Sequence, residues 1–113
     1  MQNAYQNLLS AISKLETPEQ VDQFLKDIAT PAEIDAFTER LQLAILLDQK
    51  TMSYRDISHM TGASTTTVAR VARFLNHENH GGYRHVIKLM NIDKGQNNET
   101  TTQNISAKGR PPR

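Results

Sequence analysis

The stretch that most constrains this chain runs from Ser53 to Phe74. It reads as a short helix, a tight turn at Thr61-Gly62-Ala63 and a second helix with a hydroxyl-rich front. Ile57 falls where the first helix must face inward, and Gly62 falls where the chain turns sharply and a positive φ carries no steric penalty. Val68 and Val71 give an i, i+3 stripe that packs the second helix onto the first. The small residues Ser58 and Ala63 let the two helices approach closely. Such a helix-turn-helix delivers its second helix, front end first, into the DNA major groove. An αα-hairpin without a nucleic-acid role would share the apolar positions. It would not need a polar leading face followed by Arg70 and Arg73.

The charge distribution points the same way. The net charge is only +1, yet residues 1–49 carry three basic side chains (Lys14, Lys26, Arg40) against eight acidic ones. Residues 50–90 reverse the balance, with Lys50, Arg55, Arg70, Arg73, Arg84 and Lys88 against Asp56 and Glu78. Phosphate attraction supplies most non-specific DNA affinity, so a DNA-binding chain gathers its cations on the reading head and beyond it. The 113 residues leave room for one domain, and small helical domains of this size are often completed by a partner subunit. Cysteine is absent, which excludes disulfides, a thiolate metal site and a cysteine nucleophile. No apolar run approaches the length of a membrane span or a signal-peptide core, and a soluble cytoplasmic protein is expected.

The remaining pattern is helical throughout. Ala4, Leu8, Leu9, Ile12 and Leu15 mark a first amphipathic helix over about residues 2–15. Thr17-Pro18-Glu19-Gln20 and Thr30-Pro31-Ala32-Glu33 are helix starts of the capping-box type with proline at the first helical position. Val21, Phe24, Leu25 and Ile28 form the apolar face of the second helix. Ile34, Phe37, Leu41, Ala44 and Ile45 form that of the third. Leu43, Ile45, Leu46 and Leu47 make the end of the third helix apolar on several sides, as in a helix buried between neighbours or between subunits. Ser53 caps the helix that follows. Residues 76–82 read as a loop, and Tyr83, Val86, Ile87, Leu89 and Met90 as a short final helix. From Asn91 the composition turns to Asn, Gln, Thr, Gly, Lys and Pro, and residues 93–113 read as a disordered basic tail. The expected fold is all-α with six helices, in one domain over residues 1–92.

The segments Thr30-Pro31, Glu39-Arg40-Leu41, Met52 to Ile57 and Ser64 to Arg70 carry a resemblance. Over about residues 1–92 the chain resembles the Trp repressor superfamily, in particular its Trp-repressor-related YerC/YecD branch. The resemblance implies an intertwined homodimer, with the first helices and the last one packed into the partner. It also implies two helix-turn-helix heads about one DNA turn apart, reading a palindromic operator. In the repressor, tryptophan lies between two arginines that match Arg40 and Arg70, and the threonine bordering the pocket matches Thr30. Two positions depart from that pattern. Val71 replaces a glycine and Phe74 replaces a serine, and both larger side chains narrow a pocket that must admit an indole ring. Phe74 is expected to plug it, so tryptophan is not the expected effector and the effector stays unidentified.

Within the reading head, Ser64, Thr65, Thr66 and Ala69 occupy the leading and outward positions for base contact. Hydroxyls donate or accept at base edges, and an alanine can meet a thymine methyl. Arg55 and Arg73, with Lys50 nearby, suit phosphates. His59, His77, His80 and His85 include one usable spacing, His77-x-x-His80. It lies in a loop with Glu78 as its lone carboxylate, short of the three or four ligands a zinc site needs, so no metal and no cofactor is expected. No phosphate loop, nucleophile elbow or paired carboxylates suggest an enzyme. Three readings result: a dimeric sequence-specific repressor of transcription, an amino-acid-gated version using Arg40 and Arg70, and a helical protein-interaction module. Finally, Lys108-Gly109-Arg110-Pro111-Pro112-Arg113 resembles the core of AT-hook peptides, which lie in narrow A·T minor grooves.

Overall fold

The computed structural model describes residues 2–96, which form six α-helices and, within that span, no strand. These are α1 (Gln2–Ser13), α2 (Pro18–Ile28), α3 (Pro31–Gln49), α4 (Tyr54–Thr61), α5 (Thr65–Asn76) and α6 (Gly82–Gln96). Four of the starts are made by hydroxyl caps. Thr17 Oγ1 accepts from Gln20 N–H at 3.1 Å, while Gln20 Oε1 reaches past Thr17 to accept from Glu16 N–H at 2.8 Å. At α3 the box is reciprocal: Thr30 Oγ1 accepts from Glu33 N–H at 3.1 Å, and Glu33 Oε1 accepts from Thr30 N–H at 2.8 Å. Ser53 and Ser64 cap α4 and α5, each accepting from the N–H three residues on, at 3.0 Å.

Both ends of the helical region differ from the expectation. α1 stops at Ser13 rather than near residue 15, its last turn closing through Lys14 N–H to Ala11 and Leu15 N–H to Ile12. α6 continues to Gln96, well past Met90, because extending an existing helix fixes one residue per hydrogen bond gained. Residues 93–96 are therefore helical rather than part of a tail. The tail from residue 97 on, with the AT-hook-like segment, lies outside the described residues.

The chain divides into two compact units, Met1–Glu39 and Arg40 onward, with the division inside α3. In the first unit none of the described side chains is buried. Leu8, Leu15, Phe24, Leu25 and Ile34 are half-buried, and Tyr5, Leu9, Ile12, Val21, Ile28 and Phe37 are exposed. Phe37 thus departs from its expected core role, with 47% of its surface open, since no surface of this unit covers it.

The second unit holds the core. Leu43 and Ala44 from α3, Ile57 from α4, Ala63 from the turn, Val68, Val71 and Leu75 from α5, and Ile87 from α6 form one buried cluster. Leu43, rather than Leu41, is the deepest large side chain that α3 contributes, at 0% exposure. Ile45, Leu46, Leu47, Met52 and Tyr83 pack around the cluster. Arg84 ties three helices together at its edge. It donates to Asp48 Oδ1 at the end of α3 (2.8 Å) and to Asn76 Oδ1 at the end of α5 (2.6 Å).

Candidate nucleic-acid interface

The turn between α4 and α5 is held by more than glycine. Gly62 adopts φ 85°, the left-handed conformation that ends α4, and its N–H donates to Ser58 O at 2.9 Å. Ser58 Oγ donates to Ala63 O at 2.6 Å, and Thr61 Oγ1 accepts from Ala63 N–H at 3.2 Å while donating to Ile57 O at 2.8 Å. Ser58 is therefore a cross-link of the turn as well as a small residue. Two hydroxyls and one left-handed glycine fix where α5 begins.

α5 has two opposed faces. Val68, Val71, Ala72 and Leu75 are buried. Thr65, Thr66, Ala69, Arg70 and Arg73 are exposed, and Thr66, Ala69 and Arg73 follow one another at i, i+3 and i+7 along one stripe. Burial on one side thus aims a short hydroxyl-and-methyl front followed by cations outward on the other. Ser64 differs from its neighbours. Its Oγ accepts from Thr67 N–H at 3.0 Å and lies 3.0 Å from Thr67 Oγ1, so most of its hydrogen-bonding capacity is spent on the cap. On α4, Arg55 is exposed and makes no ion pair among the described residues; Lys50, at φ 60°, is exposed just after α3.

Arg73 is not a free cation. Its Nε and Nη2 both lie 3.0 Å from Glu78 Oε2. The sequence held one signal of this partner. Glu78 is the sole acidic residue between residues 57 and 91.

The residues matched to a ligand pocket are distributed as follows. Thr30 belongs to the first unit, where its hydroxyl caps α3; Arg40, Arg70 and Phe74 belong to the second. The Arg70 guanidinium lies over the Phe74 ring, 4.6 Å from its centroid, and His80 stacks on that ring at 5.9 Å with 14° between planes. Phe74 is half-buried in this stack, and so is Arg40 on α3. His80 is thus an aromatic neighbour of Phe74, and among the described residues no three His, Asp or Glu side chains gather to hold a metal. A shallow groove of about 470 Å³ between the end of α3 and the first turns of α6 is lined by Asp48, Arg84, Ile87, Lys88 and Asn91, with the first two already paired.

A short α-helical chain with an opposed-face second helix behind a tight turn is the architecture of a helix-turn-helix regulator. The sequence profile of the Trp repressor protein family matches residues 3–91, and the chain belongs to that family, one of DNA-binding regulators rather than enzymes. It is 38% identical over 72 residues to the uncharacterized protein YerC of Bacillus subtilis, covering 64% of this chain and 68% of that one. Two solved structures are similar. A TrpR-like protein from Eubacterium eligens has a TM-score of 0.71 at 35% identity, over 79% of this chain and 90% of its own. A protein of Staphylococcus aureus described as a candidate Trp repressor has a TM-score of 0.72 at 38% identity, over 80% and 88%. No helix among the described residues is long and apolar enough to cross a membrane.

Proposed function

We propose that this protein is a cytoplasmic, homodimeric repressor of transcription that reads a palindromic operator in double-stranded DNA. The observation that carries the reading is the division of α5 into a buried apolar face and an exposed face of Thr65, Thr66, Ala69, Arg70 and Arg73. Thr65, Thr66 and Ala69 contact base edges, which specify sequence. Arg55 and Arg73 contact phosphates, which position the protein without selecting a sequence. Ser64 acts mainly by fixing the start of α5. Supporting the homodimer are the exposed Leu9, Ile12, Ile28 and Phe37 of the first unit and, separately, the exposed Val86, Leu89 and Met90 of α6, since exposed apolar patches mark association sites.

DNA binding in this reading requires no tryptophan. The Phe74 ring, with Arg70 and His80 against it, supplies internally what a bound aromatic ligand would otherwise supply, and it removes the conformational cost that a ligand offsets. One observation favours the gated alternative: Arg40 is half-buried and makes no ion pair among the described residues, which suits the carboxylate of an amino acid.

A gel-shift series against genomic fragments at rising salt tests the DNA reading. Selective, salt-sensitive retention is expected; no retention at low salt would leave a protein-interaction module. Millimolar tryptophan is expected to change neither the melting temperature nor the affinity. A clear shift with it would restore Arg40 and Arg70 as ligand residues.

A further inference from the structure

The segment after α5 folds back upon a single residue. The Arg73 carbonyl accepts from both His77 N–H (2.8 Å) and Glu78 N–H (3.0 Å), which seats Glu78 directly beside the end of the helix. The Glu78 carboxylate then grips the same arginine's side chain, with Oε2 at 3.0 Å from Nε and 3.0 Å from Nη2. His80 stacks on Phe74, and the Arg73 guanidinium lies 5.5 Å from that ring, so the loop is anchored on both sides of the pair. His80 Nε2 stands 3.9 Å from Glu78 Oε1, too far for a hydrogen bond.

Arg73 shares the exposed stripe of Thr66 and Ala69, the face assigned above to DNA. The edge formed by Nε and one terminal nitrogen is also the edge an arginine offers to a phosphate. Glu78 and a phosphate therefore compete for the same two N–H donors. The competitor is placed to yield, since the Arg73 side chain is 64% exposed and solvent screens the pair.

We propose that Glu78 is an intramolecular stand-in for a DNA phosphate, occupying Arg73 in the free protein and weakening its binding to DNA of any sequence. This rests on the DNA-reading function proposed above. The purpose such a device serves is discrimination: it subtracts from the sequence-independent part of the affinity and leaves the base contacts of Thr65, Thr66 and Ala69 untouched.

The test is fluorescence anisotropy with a labelled duplex of arbitrary sequence, over a salt series, using the full chain and three variants: Glu78→Gln, Arg73→Gln and the double substitution. Circular dichroism melting of each verifies the fold. Glu78→Gln is expected to bind about two- to fivefold more tightly at low salt, the strength of one exposed ion pair. Its log–log salt slope should stay close to that of the unaltered chain, because Arg73 reaches a phosphate in both once Glu78 yields. In the Arg73→Gln background the same change should bring no gain. An unchanged affinity in Glu78→Gln, or an equal gain without Arg73, overturns the proposal. Wild-type protein that binds no duplex even at low salt would overturn the DNA reading and the gate together, whereas binding with no Glu78 effect overturns the gate alone.

Discussion

The two units of this chain are built from similar helices but reach different degrees of burial. The unit from Arg40 onward closes a core around Leu43, Ile57, Val68 and Val71, each at most 2% exposed. The unit before it buries none of its described side chains, although α1 and α2 are just as clearly amphipathic. An amphipathic stripe specifies that a face wants covering, not what covers it. The reading head satisfies that demand from within its own unit, through α3, α5 and α6, and can hold α5 rigidly. The N-terminal helices leave it unmet, and we assign the cover to a second copy of the chain. In the function proposed above, reading DNA falls to α5, and pairing subunits to the N-terminal helices together with the exposed Val86, Leu89 and Met90 of α6.

The contrast is sharpest at α3, which contributes to both units. Leu43→Ala is expected to cost about 2–5 kcal/mol in urea unfolding, because it removes a fully buried side chain from a closed core. Phe37→Ala, two turns earlier, should leave that core intact and weaken association, lowering the melting temperature at dilute protein and recovering it as protein concentration rises. Equal, concentration-independent losses at the two positions would break the distinction between the units.

Substitutions on the two sides of the reading head sharpen it further. Thr66→Ala is expected to remove about 1–3 kcal/mol of discrimination between operator variants. Arg55→Ala should weaken all sequences alike, a difference that competition binding against mutated operators reveals. Ser64→Ala should act on stability instead, losing about 1 kcal/mol by thermal unfolding through the cap of α5. The smallest effect is expected at Lys50, whose φ of 60° after α3 is unfavourable for a side chain. Lys50→Gly should stabilise by roughly 0.5–1 kcal/mol in the same assay.

The features legible in the sequence are those fixed within a few residues. Thr17, Thr30, Ser53 and Ser64 announce their helices because a cap and its N–H partner lie three residues apart. Gly62 and the Val68–Val71 stripe announce the turn and its packing for the same reason. Features that depend on more distant chain were not legible. Phe37 fits the periodicity of α3, yet periodicity says nothing of whether a neighbour is present. The end of α6 at Gln96 follows helix propagation across a change of composition. The Arg73–Glu78 pair spans the end of α5, five residues apart, outside the i, i+3 and i, i+4 spacings by which helical pairs are recognised. Arg84, Asp48 and Asn76 meet only because three helices end near one another.

Whether a paired reading head selects a sequence is decided by selecting bound duplexes from a random pool with the full chain. Enrichment of a palindrome whose half-sites lie about one helical turn, roughly 10 base pairs, apart is expected. A pool that stays random after repeated rounds, or that converges on a single half-site without its mirror copy, would contradict it.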